Sequence, residues 1–165
     1  MSIVDAIIQE YEHEAANTRR TLERVPEERF GWRPHQKSMT LGQLASHIVE
    51  TPTWTPVIVQ TDVFELKREA YTPFLAANRA ELLKSHDDNV AEAIRALTGQ
   101  SDAHMLAVWR MKVEGKVVME LPRVAVVRSM LINHTVHHRG QLTVYLRMHD
   151  VPLPSLYGPS ADEQA

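Results

Sequence analysis

Proline stands at Pro26, Pro34, Pro52, Pro56, Pro73, Pro122, Pro152, Pro154 and Pro159, and those positions decide where this chain can run as helix. Inside a helix, proline removes a hydrogen bond and clashes with the preceding turn, so a long helix needs a proline-free stretch or a proline in its first turn. Within those limits apolar residues recur at helical spacing four times. Val4, Ile7, Ile8, Tyr11, Ala15, Thr18 and Leu22 predict a first helix from Ser2 to Arg24, capped by Ser2 with Asp5 and stopped by Pro26. Thr40 with Gln43 opens a second, whose buried stripe is Leu41, Leu44, Ile48 and Thr51 and which Pro52 and Pro56 kink or divide. Thr72 as N-cap and Pro73 in the first turn predict a third, ending at Gly99 with Leu83, Val90, Ile94 and Leu97 inward. Pro122 opens the last helix, which continues to about His149 before the proline-rich tail.

Between residues 101 and 121 the period changes. In "VWRMKVEGKVVMEL", Val108, Arg110 and Lys112 alternate with Trp109, Met111 and Val113 before Glu114-Gly115, which predicts a short hairpin or an extended lid. The polar connection after Pro26 carries Phe30 and Trp32, suited to plugging one end of the core. The expected fold is all-α: an antiparallel four-helix bundle, one domain over residues 1–165, with a short irregular or hairpin insert before the last helix.

Charge and composition narrow the function. With 18 Lys+Arg against 21 Asp+Glu and no long run of one sign, there is no clustered basic face for nucleic acid. No apolar run approaches the ~18 residues of a membrane span, and the start "MSIVDAIIQEYEHE" lacks a signal-peptide pattern. Cysteine is absent, which removes disulfides and any protein thiol nucleophile. The expectation is a cytoplasmic protein acting on a small molecule.

The stretch "NHTVHHRGQL" concentrates imidazoles in the last helix. On a helical wheel marked by Val127, Leu131, Leu142 and Tyr145, His134 and His138 fall within about 20–30° of the apolar centre and His137 about 80° away. An i, i+4 pair brings two imidazoles side by side, close enough to share an ion. Thr135 follows His134 where the metalloprotease pattern has Glu, so that family is excluded. In "GQLASHIVE", His47 lies on the inward side of the second helix and offers a third ligand across the core. Spacing alone leaves open whether these are ligands or hydrogen-bonded core histidines. His13, His35, His104 and His149 read as solvated or loop residues, and His86 as a group bordering the third helix's stripe. Gln141 could orient a ligand and Glu50 could act as a supporting carboxylate or base; Tyr145 and Trp54 could line a pocket. Arg139 points away from the stripe, as an ion-pair or interface residue would, and Gly140 suits a close helix approach.

"HTVHHRGQLTVYLR", the upstream "LGQLASHIVE" and the tail "VPLPSLYGPSADE" together resemble the DinB/YfiT-like metalloenzyme superfamily, nearly over the whole chain. The resemblance implies a four-helix bundle in which His47, His134 and His138 bind a divalent metal, and relatives that are often dimers. Such a donor set is uncharged, would suit Zn, Ni, Fe or Mn, and leaves the ion's Lewis acidity intact. Two chemistries follow: hydrolysis through a lowered water pKa, or transfer or isomerisation through a low-molecular-weight thiol, which this cysteine-free chain would have to borrow. A non-catalytic bundle holding a structural metal or small ligand is the third reading.

Overall fold

Four long rods make the frame, and each begins or ends where local chemistry says it should. The structure is a computed structural model and describes residues 1–164, the Arg68 side chain excepted. Helix α1 spans Ile3–Leu22 and carries the expected capping box between Ser2 and Asp5. Helix α2 spans Leu41–Glu50, and Thr40 and Gln43 cap it reciprocally. A 3₁₀ turn over Thr51–Thr53 separates it from α3, Trp54–Gln60, so the two prolines divide the rod. Helix α4 spans Arg79–Leu97. After α5, Asp102–Leu106, and a hairpin, the last rod runs as α6, Arg123–Val127, a π-helical segment, Arg128–Asn133, and α7, His134–Arg147. Rod α1 packs on α4 and α7, and α2 packs on the same two.

The all-α expectation fails at a three-stranded sheet. The predicted hairpin is there: β2, Val108–Val113, pairs antiparallel with β3, Lys116–Pro122. Its turn places Glu114 at φ 50° and Gly115 at φ 76°, the left-handed pair that a tight hairpin requires. The addition is β1, Val63–Leu66, which pairs parallel with β2, Val63 opposite Arg110. Such pairing joins residues far apart in sequence, so no local period announces it. It is pinned by Trp109, fully buried, whose Nε1 donates to Thr61 Oγ1 at 3.1 Å.

The third rod also begins later than predicted. Residues 71–77 are not helical, and α4 starts only after Asn78, whose side chain accepts from the Glu81 amide at 2.8 Å. Thr72 precedes a proline, which pushes it to extended backbone, and Asn78 with Glu81 is the stronger capping pair. The buried line of α4 is Leu82, His86, Ala93 and Leu97, so Leu83, Val90 and Ile94 flank it. The core forms two clusters. One gathers Val4, Ile7, Tyr11, Ile58, Trp109 and Leu131, and the other Leu22, Leu41, Leu44, Ile48, Leu82 and Leu142. Along the last rod, His134 to His138 occupy the stretch where the core passes from the first cluster to the second. Phe30 packs on the second cluster so closely that a Cβ on Gly42 would sit 3.0 Å from Phe30 Cβ, which accounts for glycine there. At Gly140 a Cβ would meet nothing within 4 Å, so close approach is not its role.

Candidate metal centre

The π-helical segment sets where the histidines point. Core contacts along the last rod fall at Val127, Leu131, Thr135, Arg139, Leu142 and Leu146, mostly four residues apart. In a regular α-helix each four-residue step drifts about 40° around the axis, and the wider i to i+5 turns of Arg128–Asn133 absorb that drift. The fully buried line of α7 is therefore Thr135, Arg139, Leu142 and Leu146. His134 and His138 lie beside it, half-buried at the rim rather than at the stripe's centre. The wheel misplaced them because it assumed one phase through the π turns.

His47, also half-buried, faces them from α2. Its Nε2 lies 3.0 Å from His134 Nε2, and one nitrogen of each of the three rings falls within 4.8 Å of the others. Ring centroids stand 5.0, 4.7 and 4.6 Å apart. Among the described residues no second group of three potential ligands forms. His138 Nδ1 lies 2.7 Å from Gln141 Oε1; if that nitrogen carries the proton it donates to the amide oxygen and leaves Nε2 with its lone pair free.

Electrostatics keep these rings neutral. Burial pushes His47 below its ordinary value, against the opposing pull of Glu50. Burial first, then the neighbouring imidazoles, push His134 down to about 4. Burial lowers His138 too, with the Gln141 bond opposing it. Neutral imidazole is the form that ligates. Nitrogens bound 2.0–2.1 Å from one ion lie about 2.9–3.5 Å apart, so the His47–His134 pair already stands at ligand spacing. The donor set fits a divalent cation, and two nitrogens this close with no other partner otherwise compete for a single proton.

Other sequence-predicted residues part company with the triad. Glu50 accepts from Tyr71 Oη at 2.8 Å and from the Phe74 amide at 3.4 Å, while the Ala76 amide donates to Ser46 Oγ at 3.0 Å. Residues 71–77 thus form a strap tied down on α2, and burial with the Glu50 carboxylate pushes the Tyr71 hydroxyl up to about 12. Gln141 is exposed rather than inward. His86 is 3% exposed and bonds Asp87, lining a groove with Ala15 and Arg19, away from the triad. His137 is exposed and touches only the His138 ring at 4.8 Å among the described ring contacts. His104 is anchored through Nε2 to the Val59 carbonyl, and His149 packs edge-on to Trp32, so neither is a solvated residue. Trp54 stacks edge-on with Phe64 and lines a different crevice, whereas Tyr145 does border His138.

Two cavities adjoin the triad. One, of about 450 Å³, is walled by Met39, His47, Tyr71, Pro73, Phe74 and Leu75. The other, of about 270 Å³, is bordered by Lys37, Ser38, Met39, His138, Gln141 and Tyr145. Met39 belongs to both. The strap was not foreseen because it carried the false helix start; the Asn78 cap on the Glu81 amide was the signal that would have freed it. The hairpin lines neither cavity.

The family model for the DinB family matches residues 1–165. The uncharacterized protein YrdA of Bacillus subtilis (strain 168) is 27% identical over 164 residues, covering 98% of this chain and 92% of its own length. A DinB-like protein from Bacillus cereus ATCC 10987 superposes with a TM-score of 0.70 at 20% identity, covering 93% of this chain and 97% of that one. The DinB-like protein YjoA from Bacillus subtilis gives a TM-score of 0.70 at 15% identity, over 90% and 96% of the two chains.

Proposed function

This chain belongs to the DinB family, and we propose that it is a metal-dependent enzyme whose His47, His134 and His138 hold one divalent cation, Zn, Ni, Fe or Mn. The observation that carries this is the convergence of three neutral, half-buried imidazoles from two separate helices, with their nitrogens within 4.8 Å and cavities on both sides. A divalent cation there supplies Lewis acidity and weakens the hold of a neutral ligand on its proton. Gln141 fixes the His138 ring by accepting from Nδ1. Glu50 has both oxygens engaged by the strap, which makes it a positioning group for the cavity wall rather than a free base.

The proposed reaction is transfer or isomerisation with a low-molecular-weight thiol as cosubstrate. The chain has no cysteine, so the sulfur must arrive with a small molecule. That same absence favours a second reading, a metal-dependent hydrolase, which needs no borrowed thiol. A non-catalytic site is the weaker reading, because among the described residues no fourth side chain joins the three histidines. A bundle-type helical core, a cytoplasmic setting, a small-molecule substrate and a homodimer complete the proposal; no helix among the described residues is long and apolar enough to cross a membrane.

Elemental analysis of purified wild type against His138→Ala tests the metal. The expected result is near-stoichiometric divalent metal in the wild type and its loss in the variant. Equal content in both removes His138 from the site. Turnover of an electrophile with a thiol, and none with water alone, separates the transferase from the hydrolase.

A further inference from the structure

The cavities on either side of the triad differ in chemistry. The larger is apolar: Met39, Tyr71 and Leu75 are 41%, 39% and 59% exposed there, beside Pro73 and Phe74. Exposed apolar side chains gathered around a concavity are a binding signature, because water covers them at a cost. The wall is also preformed, since three hydrogen bonds tie the strap to α2.

The smaller cavity presents donors. Lys37 is one of the cations that no carboxylate pairs among the described residues. Among the described residues neither Ser38 Oγ nor the Gln141 amide nitrogen has a hydrogen-bond partner, the contact with His138 using the Gln141 oxygen. No Asp or Glu borders this cavity. An ammonium, a hydroxyl and an amide NH₂ facing one space without an acid are matched by an organic anion.

Resting on the metal-centre reading above, we propose that the substrate is an amphiphilic carboxylate, with its apolar limb in the cavity under the 71–75 strap and its anionic end against Lys37, Ser38 and Gln141. Met39 borders both cavities, His47 lines the larger and His138 the smaller, so a ligand reaching into both passes the imidazole face, and the reacting bond falls in the middle of the molecule rather than at its charged end. A hydrophilic anion would leave the apolar wall wet; a neutral apolar compound would leave the three donors without an acceptor.

The test is calorimetric titration of the purified protein, its metal content measured first, with octanoate, 1-octanol and acetate. Octanoate should bind, 1-octanol more weakly, and acetate not detectably. Lys37→Gln, an exposed change, should weaken octanoate about tenfold and leave 1-octanol unchanged. Leu75→Asp, also exposed, should weaken both. Equal effects of Lys37→Gln on octanoate and 1-octanol, or acetate binding as tightly as octanoate, overturn the proposal. Metal-loaded protein that ignores octanoate overturns it while leaving the metal centre standing. Metal-free protein with the expected octanoate pattern overturns the metal centre and leaves the amphiphilic site in place.

Discussion

Helix α7 carries two polar clusters side by side, one at His134 and His138 and the other at Arg139, the residue after His138, and they are built on opposite plans. Arg139 is 1% exposed and spends its donors inward: to Glu14 Oε2 at 2.5 Å, the Glu14 carbonyl at 2.9 Å, Thr18 Oγ1 at 3.1 Å and the Tyr157 hydroxyl. Tyr157 in turn donates to Glu14 at 2.7 Å, and the guanidinium lies 5.3 Å from its ring centroid. Every charge has its counterpart within the cluster. His134 and His138, on the neighbouring rim, have their nitrogens turned toward each other and toward His47, with Gln141 as the sole supporting side chain among the described residues. A closed network locks helix to helix and tail to helix; an incomplete one at a cavity mouth is poised for something from outside. Density of polar groups does not separate structure from function here. Completeness of partners does.

Four measurements would break or sharpen that contrast. The largest effect is expected in the closed cluster. Arg139→Ala strands the Glu14 carboxylate in the core, and breaking such a buried pair costs about 3–5 kcal/mol, read as a lower urea midpoint at pH 7. A loss under about 1 kcal/mol, the range of ordinary surface changes, would mean that the cluster contributes no locking. Gln141→Ala comes next, and acts on the open cluster: loss of a ligand's orienting partner lowers metal affinity about 10–100-fold with the fold intact, measured by competition with a chelator. An unchanged affinity would make the His138–Gln141 bond incidental.

A buried imidazole outside both clusters gives a third check. His86 is held below its ordinary 6.5 chiefly by burial, with the Asp87 bond opposing. Between its folded value and 6.5 the unfolded chain takes up the proton and the folded chain does not. Its stabilising share is therefore full above pH 6.5 and declines as pH falls below it. His86→Gln should flatten the fall of Tm between pH 7 and 5 without altering metal content; a parallel fall in both proteins assigns the acid sensitivity elsewhere. The smallest effect belongs to His137→Ala, which should leave metal stoichiometry and Tm unchanged, because that ring is exposed and outside the triad. Loss of metal there would redraw the site.

The converging histidines were legible in advance as candidates because i, i+4 spacing on one helix is a local fact, and His47 could be named from its place after Leu44 on an amphipathic helix. Their depth was not legible: the π segment at Arg128–Asn133 shifts the rod's phase, and nothing in "RSMLIN" declares it. Arg139 was readable as an ion-pair residue but not as a buried one: it was expected to point away from the apolar stripe, yet it is 1% exposed on the buried line of α7, and its partner, Glu14, is 125 positions away. The hairpin at Glu114-Gly115 was readable from its turn, and β1 was not, since "VFEL" is too short to carry a period.

Sequence by itself settled where the first two helices start, which imidazoles share a face, and that no thiol resides in the chain, because caps, prolines and helical spacing act over three or four residues. Tertiary structure alone decided that the 71–77 strap lies over α2, that Lys37, Ser38 and Gln141 face one space, and that one polar cluster closes while its neighbour stays open. Those outcomes depend on how distant segments fill the same volume, and close packing rewards only the arrangement that all of them satisfy together.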